Sequence, residues 1–307
     1  MRTTKIVLHY LLSFRPTLLG LAVGFGCICC AHVCVAQRAG IDGERSRMME
    51  RIEPEEAVRR MQLFRMQRLV GDFCFQFQLE HKPRKGPTVR HQGILYGSWN
   101  ERGPVSRFKL FPEYIGKDPA IQRSPVEMIV QNGASPQAWM RCQATDAFVL
   151  ITDGALFEPV FAGVLYTPFD LQMPFLFWDE YSYEGPVRVL SRIGQRFLMQ
   201  APIGCLADQN GITAVRIVLD DAYHALLQVD VLEQTDRLRS RFTVRGLKKI
   251  QGQHIVKEIE LKDVQSKDAT SFKVKAASLG LIFDDAVFDP NSHRPAPDIS
   301  AALFDIL

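Results

Sequence analysis

The chain has 307 residues, 47% of them hydrophobic and 23% charged, and its 37 Lys+Arg against 34 Asp+Glu leave a formal charge of +3. So even a balance excludes the dense basic surface that nucleic acid requires, and no nucleic-acid partner is expected. The hydrophobic share excludes a disordered chain and suffices for a sizeable core.

Arg2, Lys5 and Arg15 precede an almost uninterrupted apolar run from Thr17 to Val35, which ends on Ala36 before the polar Gln37 and Arg38. A positive start, an apolar middle and a small last residue are the layout of a secretory signal, read as residues 1–36, so the folded part is expected outside the cytoplasm. A run of this length also spans a bilayer, which leaves a retained anchor as the alternative. Cys27, Cys29, Cys30 and Cys34 fall within it, leaving Cys74, Cys142 and Cys205. Three cysteines without CxxC or Cys/His ligand spacing imply neither a disulfide framework nor a metal site.

Residues 37–52 are polar and arginine-rich and read as a flexible tether to a domain over 53–290. Glu53-Pro54-Glu55-Glu56 opens a helix, with proline where its missing N–H is harmless and carboxylates at the positive end of the dipole. Ala57, Val58, Met61 and Phe64 recur at helical spacing, and Gly71 is the expected stop.

From there the period changes to 2. Phe73, Phe75, Phe77 and Leu79 alternate with Cys74, Gln76, Gln78 and Glu80. Gly93, Leu95, Gly97 and Trp99 share a face of the next strand, followed by Phe108 and Leu110, then Val126, Met128 and Val130. The pattern returns at Val215 to Leu219, Leu227 to Val231, Ile255 to Leu261 and Ser271 to Ala277, and at Leu238, Ser240, Phe242 and Val244, which alternate with outward Arg237, Arg239, Arg241 and Arg245. Short connections between strands and the lack of intervening helices predict an antiparallel meander, strongly curved or an incomplete barrel, and exclude a parallel βαβ fold.

The stretch 147–183 breaks the rhythm. It is poor in charge, dense in aromatics (Phe157, Phe161, Phe169, Phe175, Phe177, Trp178), and Pro159, Pro168 and Pro174 deny it a long helix or a central strand. It reads either as ordinary core plugging one end of the sheet or as the lining or gate of an apolar cavity. Residues 291–307 read as a C-terminal tail.

No catalytic signature is present: no GxSxG, HExxH, phosphate loop or EF-hand spacing, and no cofactor is implied. His81 and His91 flank the basic Lys82-Pro83-Arg84-Lys85 and read as a solvated hairpin end. Cys205 and His224 are read as a structural thiol and an unrelated imidazole, and Asp220-Asp221 and Asp284-Asp285 as turn markers. The protein is not expected to be an enzyme.

The succession of elements resembles the outer-membrane lipoprotein-sorting family, the LolA-like periplasmic carriers and their relatives. The resemblance rests on the leading helix, Gly71-Asp72-Phe73, Gly93-Ile94-Leu95-Tyr96-Gly97, Arg107-Phe108-Lys109-Leu110, the block Asp170 to Trp178, Tyr183-Glu184-Gly185-Pro186, and the strands from Val215 to Val274. It implies a mainly β (α+β) half-open antiparallel β-barrel with an N-terminal helix and a helix and loop cover over a hydrophobic cavity. It also implies a periplasmic, non-enzymatic carrier of lipoprotein acyl chains or lipid, served by an inner-membrane release machinery and an outer-membrane acceptor. The cavity candidates are Phe75, Phe77, Leu95, Trp99, Phe108, Leu110, Met128, Val130, Phe169, Met173, Phe175, Phe177 and Trp178. Arg107 and Arg141 are candidates for the arginine that holds such a lid shut. Two other classes stay open: an envelope sensing or interaction module on the same scaffold, with a small or filled cavity, and a secreted hydrolase, with an inward polar cluster of Asp, His or Cys.

Overall fold

The computed structural model describes residues 49–112 and 125–307. The predicted signal and most of the predicted tether, residues 1–48, lie outside the described residues. Thirteen strands form one antiparallel path: β1 (Asp72–Lys82), β2 (Val89–Asn100), β3 (Gly103–Phe111), β4 (Val126–Gln131), β5 (Gln137–Cys142), β6 (Ala147–Leu150), β7 (Tyr181–Val189), β8 (Arg192–Gln200), β9 (Ile212–Asp220), β10 (Leu226–Glu233), β11 (Arg237–Ile250), β12 (Gln253–Asp263) and β13 (Ala269–Leu281). Their order is β6-β5-β4-β3-β2-β1-β13-β12-β11-β10-β9-β8-β7, with a short β14 (Asp305–Ile306) pairing β13. Two meanders are thus sealed by the β1–β13 contact, which runs from Asp72↔Leu281 to Lys82↔Ala269. The sheet does not close, and its free edges are β6 and β7. Residues 151–180 connect those two edges, so the charge-poor segment crosses from one to the other.

Alternation explains the main core. On β1, Phe73, Phe75, Phe77 and Leu79 are all buried, as expected. Gly93 and Gly97 lie opposite Phe77 and Phe73. A Cβ on either would come within 2.3 Å or 2.0 Å of the facing ring, so glycine there lets the rings lie flat on β2. Helix α1 (Pro54–Met66) buries Ala57, Met61 and Phe64 at i, i+4 and i+7. Val58, expected on that stripe, is 44% exposed, because one residue beyond Ala57 turns it a further ~100° around the helix. The helix also stops earlier than expected, at Gln67 in extended backbone, which lets Leu69 enter the core; Gly71, at φ 73°, instead leads into β1.

The outer face is not uniformly solvated. Cys74, Tyr96, Val105 and Ile129 form a second apolar cluster with Val287 and Phe288, joined by Phe283, Ile299 and Phe304. Residues 291–307, expected as a tail, therefore help cover the sheet, and Ile306 pairs with Ala276 in the ladder. Residues 51 and 52, at the end of the expected tether, rest on β7: Arg51 donates to Glu184 O and stacks over Tyr183, whose hydroxyl accepts Ile52 N–H. Strands β5, β7 and β8 lack a clean alternation and escaped the sequence reading; β7 carries Pro186, which suits an edge. The expected 147–183 insert accordingly begins and ends in strands β6 and β7. Cys74, Cys142 and Cys205 are unbridged.

Candidate functional site

The concave face gathers most of the expected residues into one cluster. Phe75, Phe77, Leu95, Phe108, Leu110, Met128 and Val130 from the sheet meet Phe169, Met173, Phe175 and Trp178 from the crossing segment, all buried. Trp99 and Phe177 are half-buried, with Arg68 over the first ring at 5.8 Å and Arg65 over the second at 5.9 Å. His81 and His91 are not at a solvated hairpin end. They share the inward face with Phe77 and Leu79 and with Gly93 and Leu95, and their exposures are 9% and 1%. His81 Nδ1 lies 2.9 Å from Thr270 Oγ1, which accepts Leu165 N–H, and the His91 ring stands edge-on to Phe161. Both imidazoles thus seat the crossing segment. Cys205 precedes β9 and His224 follows it, at opposite ends of a nine-residue strand, which rules out a nucleophile and base pair.

The segment lies over the concave face, as a lid would, in short pieces: a 3₁₀ turn (Asp153–Phe157), helix α2 (Pro168–Gln172) and a second 3₁₀ turn (Pro174–Phe177). Proline starts each of the last two, and Met173 between them takes φ 46°, so the backbone bends where a long helix would otherwise continue. Thr167 and Asp170 form a capping box at the start of α2. Phe157, Phe169, Phe175 and Trp178 run along the lid as successive ring contacts of 5.0, 5.9 and 6.3 Å.

Side chains rather than ladders fasten the lid. Asn132, 1% exposed, donates to Leu171 O and Gln172 O at 2.8 and 2.7 Å. Arg65 on α1 donates to Leu176 O at 2.7 Å and Trp178 O at 3.2 Å. Arg107 and Arg141, the sequence candidates for this task, lie on the outer face instead. Arg107 bonds Glu127, Val287 O and Arg294 O, and Arg141 pairs with Glu127 and Asp146. Arg107 thereby holds the C-terminal segment to the sheet, and Arg141 shares its partner Glu127. Neither Asn132, just past the expected strand that ends at Val130, nor Arg65, at a helix end, carries a sequence signal for its real partner.

Little apolar space remains beneath this cover. A wholly apolar gap of about 30 Å³ lies between Val160, Tyr166 and Leu171 of the lid and Leu79, Leu95 and Phe272 of the sheet. Ligand sites ordinarily measure ~300–1,000 Å³, so this gap is roughly tenfold too small for an acyl chain. A larger space of about 160 Å³, of mixed polarity, opens between the lid and β9 to β12.

Asp170 sits at that second space, and burial pushes its carboxyl up while bonds from Thr167 N–H and Oγ1–H pull it down. A carboxyl raised in the folded state contributes stability below its unfolded pKa and loses it as pH rises through the folded value. Asp170→Asn keeps an acceptor for Thr167 and removes the charge. Its expected result is a melting temperature above that of the wild type at neutral pH, an advantage that shrinks toward pH ~4. Thermal melts of both proteins across that range test it.

An unclosed antiparallel barrel whose core takes in one face of helix α1, with a proline-broken segment over its apolar concave face, belongs to the half-open β-barrel class. Within that class the chain has the LolA-like fold. No protein-family description matches the sequence, and no curated protein matches it. Solved structures do. A domain described as an outer membrane lipoprotein-sorting protein from Vibrio parahaemolyticus superposes with TM-score 0.60 at 12% identity, covering 72% of this chain and 90% of its own. A DUF1329 family protein from Desulfovibrio piger gives 0.61 at 13%, over 76% and 95%. A LolA superfamily protein from Nitrosomonas europaea gives 0.51 at 11%, over 71% and 90%.

Proposed function

We propose that the protein is a periplasmic carrier that takes acyl chains into its concave face and takes part in lipoprotein or lipid sorting to the outer membrane. The observation that carries this reading is the lid itself, an aromatic segment strung between the two open edges and fastened by a few side-chain bonds to its carbonyls. Burying a methylene is worth ~0.8 kcal/mol, so a sixteen-carbon chain offers on the order of 12 kcal/mol before ordering costs. A grip that strong traps its cargo unless something competes. Phe169, Phe175 and Trp178 occupy the place an acyl chain would take, so the empty, closed protein is already packed and the net gain on loading is small. Release to an outer-membrane acceptor, after loading from an inner-membrane machinery, then needs only a modest push.

Among the described residues no helix is long and apolar enough to cross a membrane; the apolar run of residues 17–35 lies outside them. The small apolar gap also suits the second reading, an envelope sensing module on the same scaffold whose lid never opens. Hydrogen exchange with and without a long-chain fatty acid separates the two. A carrier gives a protection change concentrated in residues 169–178 and little change in the strand around Phe242. Equal protection of the lid in both states would make it fixed core.

A further inference from the structure

We infer that the mixed-polarity space beside the lid is the seat of a phosphate-bearing head group, which makes the preferred ligand a phosphorylated amphiphile; this rests on the acyl-carrier reading. The space holds about 160 Å³, which suits a small polar group and not a chain. Its wall is apolar on one side, with Phe157, Phe169 and Leu261, and polar on the other, with Arg239, Ser240 and Asp170. Towards the core it continues into a narrower gap of about 10 Å³ that shares Asp170, Val231, Ser240 and Leu261 and ends against Phe175 and Phe242. Polarity is thus graded along one cleft, as an amphiphile's is.

Arg239 is the cation of this cleft, and a defect in the sheet puts it there. Strict alternation on β11 sends Ser240, Phe242 and Val244 inward and Arg239 outward. The β10–β11 ladder, however, pairs Val231 with Ser240 and Leu232 with Leu238, leaving Arg239 as an unpaired bulge residue that lines the space together with Ser240. Bulges re-aim side chains in this way. Among the described residues Arg239 makes no ion pair within 4 Å; its guanidinium donates one long bond, 3.3 Å, to Asn210 O, and its charge acts on the Asp170 carboxyl across the cleft, so an anion seated there would compete with Asp170 for it. The other arginines of this strand are committed: Arg237 to Glu233, Arg241 to Asp230 and Arg245 to Glu260. Two carboxylates also face the space and oppose an anion. Asp263 is engaged by Ser266 N–H, and Asp170 by Thr167, so each already has donors of its own. The planar fork of an arginine matches phosphate oxygens in pairs, which a neutral glyceride head cannot exploit.

The test compares lysophosphatidic acid with the monoacylglycerol of the same chain, which differ by the phosphate alone, in calorimetric titrations of the wild type, Arg239→Gln and Arg239→Lys. The wild type is expected to bind the phosphorylated lipid about tenfold or more tightly. Arg239→Gln should erase that preference by weakening the phosphorylated lipid to the level of the monoacylglycerol, with the variant's fold checked separately by its thermal melt, and Arg239→Lys should keep part of the preference. Inorganic phosphate in large excess should not displace the lipid; if it does, the seat is one for free phosphate and the inference fails. Equal wild-type affinities, or a preference that survives Arg239→Gln, would overturn the inference and leave the carrier reading standing. Binding of neither lipid would overturn both.

Discussion

Asn132→Ala is expected to tighten the binding of a long-chain fatty acid while lowering thermal stability. Asn132 touches the lid backbone and not the concave surface an acyl chain would cover. Its removal leaves Leu171 O and Gln172 O without their donor, at a cost of ~1–3 kcal/mol to the closed state for a buried group. Apparent affinity is the intrinsic affinity scaled by the fraction of molecules able to bind, so a closed state weakened by ~1.4 kcal/mol raises affinity about tenfold as long as closed molecules dominate. Arg65→Ala should act in the same direction through Leu176 O and Trp178 O. Fluorescent fatty-acid titration beside a thermal melt gives both quantities. A lower melting temperature together with weaker binding would mean that the lid is a fixed wall of the site and not its competitor.

Leu95→Asp is expected to abolish both cooperative folding and acyl binding. Leu95 is 3% exposed and lies opposite Phe75 on β1 and Phe108 on β3, with no cation among its ladder neighbours. An unpaired buried charge costs on the order of 3–5 kcal/mol, a large part of the ~5–15 kcal/mol that holds a domain together. Leu95→Ala provides the contrast. It costs ~2–5 kcal/mol as a cavity, yet Leu95 borders the apolar gap under the lid, so the alanine enlarges that gap and acyl binding should persist in the folded fraction. Chemical denaturation and lipid binding of the two variants decide the matter. A Leu95→Asp protein with wild-type stability would show that this face is wet, and the concave-site assignment would fall.

Much of this architecture was legible because strand alternation is local. Phe73 to Leu79 on one face, or Phe242 and Val244 against Arg241 and Arg245, declare a half-buried strand without reference to anything distant, and short turns between such strands leave a meander as the economical topology. The proline-broken aromatic stretch likewise announced a segment that must be buried yet makes no ladder. Local periodicity says that a face is covered and not what covers it. That Cys74, Tyr96 and Ile129 lie beneath the C-terminal segment, and that His81 and His91 lie beneath the lid, follows from which strands became neighbours.

The polar contacts were the least legible part. Asn132 and Arg65 bond backbone carbonyls 39 to 113 residues away, and a carbonyl is offered by every residue alike, so nothing in the partner's identity marks it. Arg107 and Arg141, which stood out as candidates, were claimed by Glu127 on the opposite face of the sheet. Arg239 turned inward because one residue of β11 has no partner on β10, a mismatch between two strands that neither strand's sequence contains. The chain's own pattern of apolar residues determined the strands, their buried faces and the lid's composition, since each depends on neighbours a few residues away. The tertiary structure alone decided the latch, the cover of the outer face and the cation beside the lid, since each depends on a pairing that exists only once the sheet is assembled.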